Sequence, residues 1–357
     1  MRFSLLCLLF TFLLGQTANA GTIETYTGDL LTGKIQLDFG GILFHPTNGP
    51  DVKMELGSVY RVQFDNAPSL EEFVPGIVLR NGLRLAAPWG PFNAPVIKIP
   101  NWKLSVPSEE IAWIVYTAFP TALAANVPAG QTGVLLPKGD FFAGTIRGAD
   151  TDGAKVFNSV FGPRTFPASD IHALILRDAR VPVAQYEVRT TDGSLFAADY
   201  LAPDRPGVTI KHSLYDNLLI GTAAITEIRA GASRCRPVTT FGALHAEPAE
   251  GLEILPDRGF NLATKSVASC VAPPGFTELR VKVAADESTP PDVRLVFSVS
   301  ADGRTLARSS ALSVADPAQN LRIPLSGVHN LVLRVDATGA TTSALHGRWV
   351  QALFLRQ

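Results

Sequence analysis

The chain has 357 residues, 46% of them hydrophobic and 18% charged, with 31 Lys and Arg against 32 Asp and Glu. A net charge of −1 excludes a nucleic-acid binder of the usual basic kind, which displaces phosphate counterions with a cationic face, and the apolar share excludes a disordered chain. The length calls for two or three domains, and 30 Gly with 26 Pro favour short strands and turns over long helices.

At the N-terminus, Arg2 precedes an apolar run from Leu5 to Leu14, and Ala18-Asn19-Ala20 supplies a small-x-small cleavage pattern. This is the layout of an export signal over residues 1–20, with Gly21 as the first mature residue. The apolar run is about half of the roughly 20 residues a membrane-spanning helix needs. Cys7 lies inside it as an ordinary apolar residue. No later stretch reaches spanning length without charge or proline, so no transmembrane segment is expected in the mature chain. The expected location is periplasmic, extracellular or at the cell surface.

A turn glycine recurs at Gly28, Gly82, Gly139 and Gly193, a period of about 55 residues. Three positions after each stands a large apolar residue (Leu31, Leu85, Phe142, Phe196), and five after each a small one (Gly33, Ala87, Gly144, Ala198). Each stretch closes on two apolar residues three apart: Val59 and Val62, Ile111 and Ile114, Ile171 and Leu174, Ile225 and Ile228. Asn81-Gly82 and Asp192-Gly193 are hairpin dipeptides, because the tight turn needs positive φ. The small fifth residue marks close backbone approach or a sharp bend. The pattern predicts four tandem β-repeats, two over 21–118 and two over 130–230, separated by the Ala-rich stretch from Phe119 to Gly133. Whether two repeats share one core is left open. The glycine-apolar-small spacing weakly resembles small SH3-like or Sm-like barrels. Trp89, Trp102 and Trp113 fall in the second repeat, either as an exposed platform or as core packing.

The mature chain keeps two cysteines, Cys235 and Cys270. An even count in an exported protein predicts a disulfide, closing a loop of about 35 residues that the chain-entropy treatment values at roughly 3–4 kcal/mol.

From Phe276 onward, alternating strands follow one another: Leu279 to Val283, Val293 to Val299, Leu321 to Leu325, Leu331 to Val335 and Trp349 to Leu355, with a hairpin turn at Asp302-Gly303. The spacing predicts an antiparallel β-sandwich over 235–357, and the whole chain is therefore read as all-β. Three stretches, Phe276 to Val283, Val296 to Arg304 and Leu325 to Val335, together with Trp349 in the last strand, resemble the NPCBM family of carbohydrate-binding modules. That resemblance implies a galactose-binding-like jelly roll and a sugar ligand. It departs from the family pattern after the first stretch, where Ala284-Ala285-Asp286-Glu287 keeps only part of the acidic run. It departs again at Leu345-His346-Gly347-Arg348-Trp349, which lacks the family's aspartate. A sugar site needs an exposed aromatic with a few polar groups, which makes Trp349, His346, Arg348 and Asp302 the candidates. The alternative is that Trp349 is a core residue of the last strand and that Asp302 only makes a turn.

No nucleophile elbow, zinc-protease helix or phosphate-binding glycine loop is present. The six histidines are scattered and the cysteines lack zinc-ligand spacing, so neither a metal nor another cofactor is expected. Asp150-Thr151-Asp152-Gly153 is half of a calcium loop without the remaining ligands. Glu71-Glu72 and Glu109-Glu110 are adjacent pairs, and neighbouring side chains on extended backbone point apart rather than across a cleft. The expected function is non-catalytic recognition of a glycan or of another envelope protein, without nucleic acid. The alternatives are a polysaccharide-active hydrolase and an envelope scaffold.

Overall fold

The protein is described from a computed structural model covering residues 19–26, 29–64, 72–88, 95–204, 206–241, 244–255, 259–338 and 344–356. The expected export signal to residue 18, Cys7, Gly28, Glu71 and Trp89 lie outside these residues. The fold is almost wholly β, arranged in antiparallel sheets. Among the described residues no helix is long and apolar enough to cross a membrane.

Residues up to 230 build a fourteen-stranded sheet. In four places an opening strand is flanked on one side by a second strand and on the other by a closing strand. In the first group Asn19–Thr25 lies between Leu30–Asp38 and Val59–Phe64. In the second, Gly76–Leu79 lies between Arg84–Ala86 and Ile111–Val115. Gly133–Leu135 lies between Phe141–Ala143 and Ala173–Ile175 in the third, and Tyr186–Thr190 between Leu195–Ala198 and Ile225–Ala230 in the fourth. A short 3₁₀ turn precedes every closing strand: Leu56–Ser58, Ser108–Glu110, Ala168–Asp170 and Thr222–Ala224.

The turn glycines explain how each opening strand folds back. Gly82, Gly139 and Gly193 have φ of 86°, 84° and 87°, a region that glycine enters without steric cost. Each donates its N–H to the carbonyl three residues earlier, of Leu79, Leu136 and Thr190. At the small fifth position, a Cβ on Gly33 would sit 2.4 Å from the carbonyl oxygen of His45, and one on Gly144 2.7 Å from that of Phe157.

The groups join edge to edge. The first and fourth meet through their closing strands, with Val62 opposite Ile228, and the second and third likewise, with Ile114 opposite Leu174. The second and fourth meet through their second strands at Leu195 and Arg84. The expected spans 21–118 and 130–230 therefore share one sheet. They also share one core, in which Ile23, Val62, Ile77, Ile114, Val134, Leu174, Val188 and Ile228 form a single cluster. The three-stranded meanders Thr145–Asp150, Gly153–Asn158, Gly162–Pro167 and Tyr200–Asp204, Gly207–His212, Tyr215–Gly221 close over its inner face with Val156, Val208, Ile210 and Ile220. On the outer face, Trp113 packs with Phe73, Phe119 and Ile175, and on the inner side Trp102 lies edge-on to Phe196 against the main core, so both tryptophans are packing residues.

The C-terminal region is a two-sheet sandwich. One sheet runs Leu252–Ile254, Phe260–Ala263, His346–Leu355, Glu278–Ala285, Gln319–Pro324. The other runs His245–Glu247, Val267–Val271, Asn330–Thr338, Arg294–Ala301, Arg304–Arg308. Phe260, Val281, Phe297, Leu333 and Trp349 fill the space between them.

The expected disulfide is absent: Cys235 and Cys270 are both buried free thiols. Cys235 pairs with Leu355 at the end of the first sandwich sheet and packs with Tyr60 and Leu353. Cys270 sits on the facing sheet opposite Leu331 and belongs to the sandwich core. The two side chains enter different apolar clusters, and burial pushes each thiol up to about 12. They are small core residues, and their even number carries no pairing.

Candidate functional site

The strand His346–Leu355 divides the outer face of its sheet in two. At its far end, Leu353 and Leu355 pack with Tyr26, Tyr60, Ala230 and Cys235, so that this half of the face is covered by the fourteen-stranded sheet. Arg280, opposite Leu353, is 2% exposed. Its guanidinium lies 3.3 Å from Glu24 Oε1, donates at 2.8 Å to the carbonyl of Thr25 and stands over the Tyr60 ring. Burial holds the Glu24 carboxyl above its ordinary range, against the pull of the Arg280 charge and a hydrogen bond from Gln351. Gln351 has φ of 51° at a bulge where the pairing with Glu278–Ala285 shifts register. The bulge turns the last residues of the strand so that Leu353 and Leu355 face the neighbouring domain while Ala352 and Phe354 stay in the core.

The near half of the same face is open and polar. Arg348 lies opposite Asn261 on one side and Ala284 on the other. Asn261 donates from Nδ2 to Glu253 at 2.9 Å, and its Oδ1 is buried without a hydrogen-bond partner. The chain leaving the strand Glu278–Ala285 is held by Asp286, whose N–H donates to the carbonyl of His346. Its carboxylate accepts from the Ser288 hydroxyl at 2.6 Å and from the Ser288 N–H at 3.0 Å. The Ser288 hydroxyl chiefly, then the Ser288 N–H and after it His346 and Arg348, hold the Asp286 carboxyl below the usual carboxylate range against the opposing effect of burial. A carboxylate, an imidazole and a guanidinium thus lie side by side, both accepting and donating. That set can bind a polyhydroxylated ligand.

Of the four residues expected at a sugar site, the structure brings together two. His346 and Arg348 are half-buried neighbours at this open end. Trp349 is a correction. It points the other way, fully buried, stacked on Phe260 at 5.7 Å and edge-on to Phe297 at 5.4 Å, because successive side chains of a strand alternate between faces. No sugar can stack on it. Asp302 is a second correction. It is exposed in the turn of the facing sheet, with φ of 51°, where Ser300 pairs with Val332. Gly347 packs instead over Phe297 and Val335, so Asp302 belongs to the other end of the sandwich. Of the sandwich aromatics, Phe260, Phe276, Phe297, Trp349 and Phe354 are all buried. Asn261 and Glu253 were missed in the sequence. Nothing marks them there, since they reach Arg348 only through strand pairing. No group of His, Cys, Asp and Glu among the described residues is placed to hold a metal ion.

Residues 255–355 match the NPCBM/NEW2 domain. No curated protein matches the chain. Among solved structures, CBM51 from Clostridium perfringens GH95 in complex with methyl-galactose is 15% identical over 34% of this chain and 91% of its own, with a TM-score of 0.26. The tandem CBM51 modules of Sp3GH98, a family 98 glycoside hydrolase of Streptococcus pneumoniae, are 11% identical over 94% of this chain and 88% of theirs, with a TM-score of 0.28. The CBM51-2 and INT domains of Clostridium perfringens ZmpB are 13% identical over 57% of this chain, with a TM-score of 0.28, and the chain spans 43% of that structure's length.

Proposed function

We propose that this is an exported, non-catalytic glycan-binding protein whose C-terminal sandwich holds sugar hydroxyls at the open half-face, with Arg348, His346, Asp286 and Asn261 as the contacts. What supports it is one coincidence. The part of the chain that matches a carbohydrate-binding-type domain is also the part that leaves a buried acceptor, Asn261 Oδ1, unpartnered beside a guanidinium. A buried polar atom without a partner costs about 1–3 kcal/mol, which a hydroxyl donated by water or ligand recovers. The site binds by hydrogen bonds and lacks an aromatic platform, so affinity for a single sugar unit is expected to be low.

A glycan array probed with the purified protein, beside Arg348→Ala and Asp286→Ala, tests this. Retention of a defined glycan set by the wild type and its loss in both variants is the expected result. Retention that survives both substitutions places the ligand elsewhere, and no retention at all removes the function. Release of reducing sugar from any bound polysaccharide ends the non-catalytic part.

A further inference from the structure

Among the described residues, the edge that joins the second and fourth groups has no partner strand on the third. In the second group Leu79 N–H donates to the carbonyl of Leu83, in the fourth Thr190 N–H to that of Ser194, and in the third Leu136 N–H to that of Asp140. In an antiparallel ladder the next residue along turns its N–H and C=O away from the partner strand. Those residues are Arg84, Leu195 and Phe141, each two positions after the turn glycine. Arg84 and Leu195 pair with each other, so like positions meet like across a local two-fold. The closing strands do the same, Val62 against Ile228 and Ile114 against Leu174. Phe141 lies on Phe141–Ala143, the terminal strand of the fourteen.

The surface beside that edge is apolar and fixed. The hairpin between Gly153–Asn158 and Gly162–Pro167 exposes Phe157, Val160 and Phe161, with Val160 81% and Phe161 61% exposed. Asn158 ties it to the edge strand. Its Nδ2 donates to the carbonyl of Ala143 at 2.7 Å, while its Oδ1 accepts from the N–H of Val160 at 2.8 Å and of Phe161 at 3.1 Å. Phe161 also leans on Phe142 of that strand. Asn158 already occupies the Ala143 carbonyl, so the edge is open at Phe141, and an open edge residue beside a rigid apolar tip is a template for another chain.

We propose that this end of the sheet pairs with the same end of a second copy of the chain, Phe141 against Phe141, with the Val160 and Phe161 tips packed across the two-fold. The occupant is argued from the chain's own junctions: every edge-to-edge contact within the sheet is made between like positions, and a like-with-like contact between copies closes into a dimer. The equivalent residue of the first group, Leu30, has an exposed side chain at the start of a strand whose far edge pairs with Gly41–Pro46 only from Gly33 onward. Pairing it with Phe141 of another copy repeats head to tail and builds a filament instead.

Light scattering coupled to size exclusion, on the purified full-length protein, decides it. The wild type is expected at twice the monomer mass. The Val160→Asp/Phe161→Asp variant is expected at the monomer mass with an unchanged circular dichroism spectrum and a melting temperature only slightly lowered, since both side chains are mostly in solvent in the single chain and Phe161 gives up only its contact with Phe142. Leu30→Asp is expected to leave the dimer intact. A monomeric wild type overturns the proposal, as does a dimer that survives the double substitution. Assembly lost on Leu30→Asp overturns it in favour of the head-to-tail arrangement.

Discussion

The two halves of the strand His346–Leu355 differ in what covers them. Beyond Gln351, Leu353 and Leu355 are sealed against Tyr26 and Tyr60, and the charges there, Arg280 and Glu24, are paired and almost wholly buried. Before Gln351, Arg348 and His346 are half in solvent, and the nearest buried amide keeps an oxygen unpaired. One bulge residue separates a face that holds domains together from a face left to solvent. Charge alone does not tell them apart, since an arginine sits at the centre of each. What separates them is whether the guanidinium's partner is covered by protein or facing water, because a charged pair in a low-dielectric setting is strongly coupled while an exposed one is screened.

The sharpest test of this division lies between the sheets, where Trp349 serves both halves. Trp349→Ala is expected to destabilise by about 3–5 kcal/mol, the usual cost of removing a buried large aromatic, read by urea unfolding. A small loss of stability with loss of glycan retention puts the tryptophan in a binding site and breaks the assignment of faces.

Next in size is Arg280→Met, expected to cost about 3 kcal/mol by chemical unfolding near neutral pH, the low end for orphaning a buried charge. The low end applies because Glu24 can escape by taking up a proton. Its folded pKa is already raised by burial, so its contribution to stability is complete below the ordinary carboxylate pKa and is lost as pH rises through the folded value. Removing Arg280 takes away the largest opposing charge and raises that value further. The deficit of Arg280→Met against the wild type is therefore expected to shrink on acidification toward about pH 4, and a deficit that is constant or grows contradicts it. A paired Glu24→Leu/Arg280→Met change is expected to recover most of the loss, since apolar replacement of a buried pair is often near neutral.

Arg348→Ala, at the same position of the open half, is expected to change unfolding free energy by no more than about 0.5 kcal/mol while weakening glycan retention about tenfold, equivalent to about 1.4 kcal/mol. A stability loss as large as that of Arg280→Met shows that the two halves are alike.

Much of this architecture was legible beforehand, and the reasons are physical. Turn chemistry is local. Gly82, Gly139 and Gly193 are required by positive φ, and the paired closing residues by a core that needs two apolar side chains at each return, so both leave marks in the sequence. Strand pairing between distant segments leaves none. That Val62 faces Ile228, or that Asn261 faces Arg348, follows from the folded sheets alone. The expected sandwich, 235–357, encloses the matched domain at 255–355, but the stretches that carry the resemblance begin only at Phe276. The earlier strands Phe260–Ala263 and Val267–Val271 have too little alternation to announce themselves. Trp349 and Arg348, adjacent in sequence, could not both be in the site, since neighbours on a strand face opposite ways. Deciding between them needed the burial of Trp349, which sequence alone left open.

The smallest expected effect is none at all. If Cys235 and Cys270 stay apart, a reductant leaves the melting temperature unchanged, because there is no cross-link to restrict the unfolded chain. Each thiol instead contributes as a small apolar group in its own half of the molecule: Cys235 at the seal between the domains, Cys270 in the sandwich core. Cys235→Ala and Cys270→Ala are each expected to cost about 1 kcal/mol through the cavity left behind. Since the two pack in separate clusters with no shared partner, the double variant is expected to cost the sum of the singles within about 0.5 kcal/mol. A disulfide predicts otherwise on both counts. Reduction then lowers the melting temperature, and the second substitution adds little once the first has removed the bridge. Alkylation under denaturing, non-reducing conditions gives the same answer by mass: two added groups on this pair are expected, and none on either means that the cysteines are joined and that the separation of the two apolar clusters is wrong.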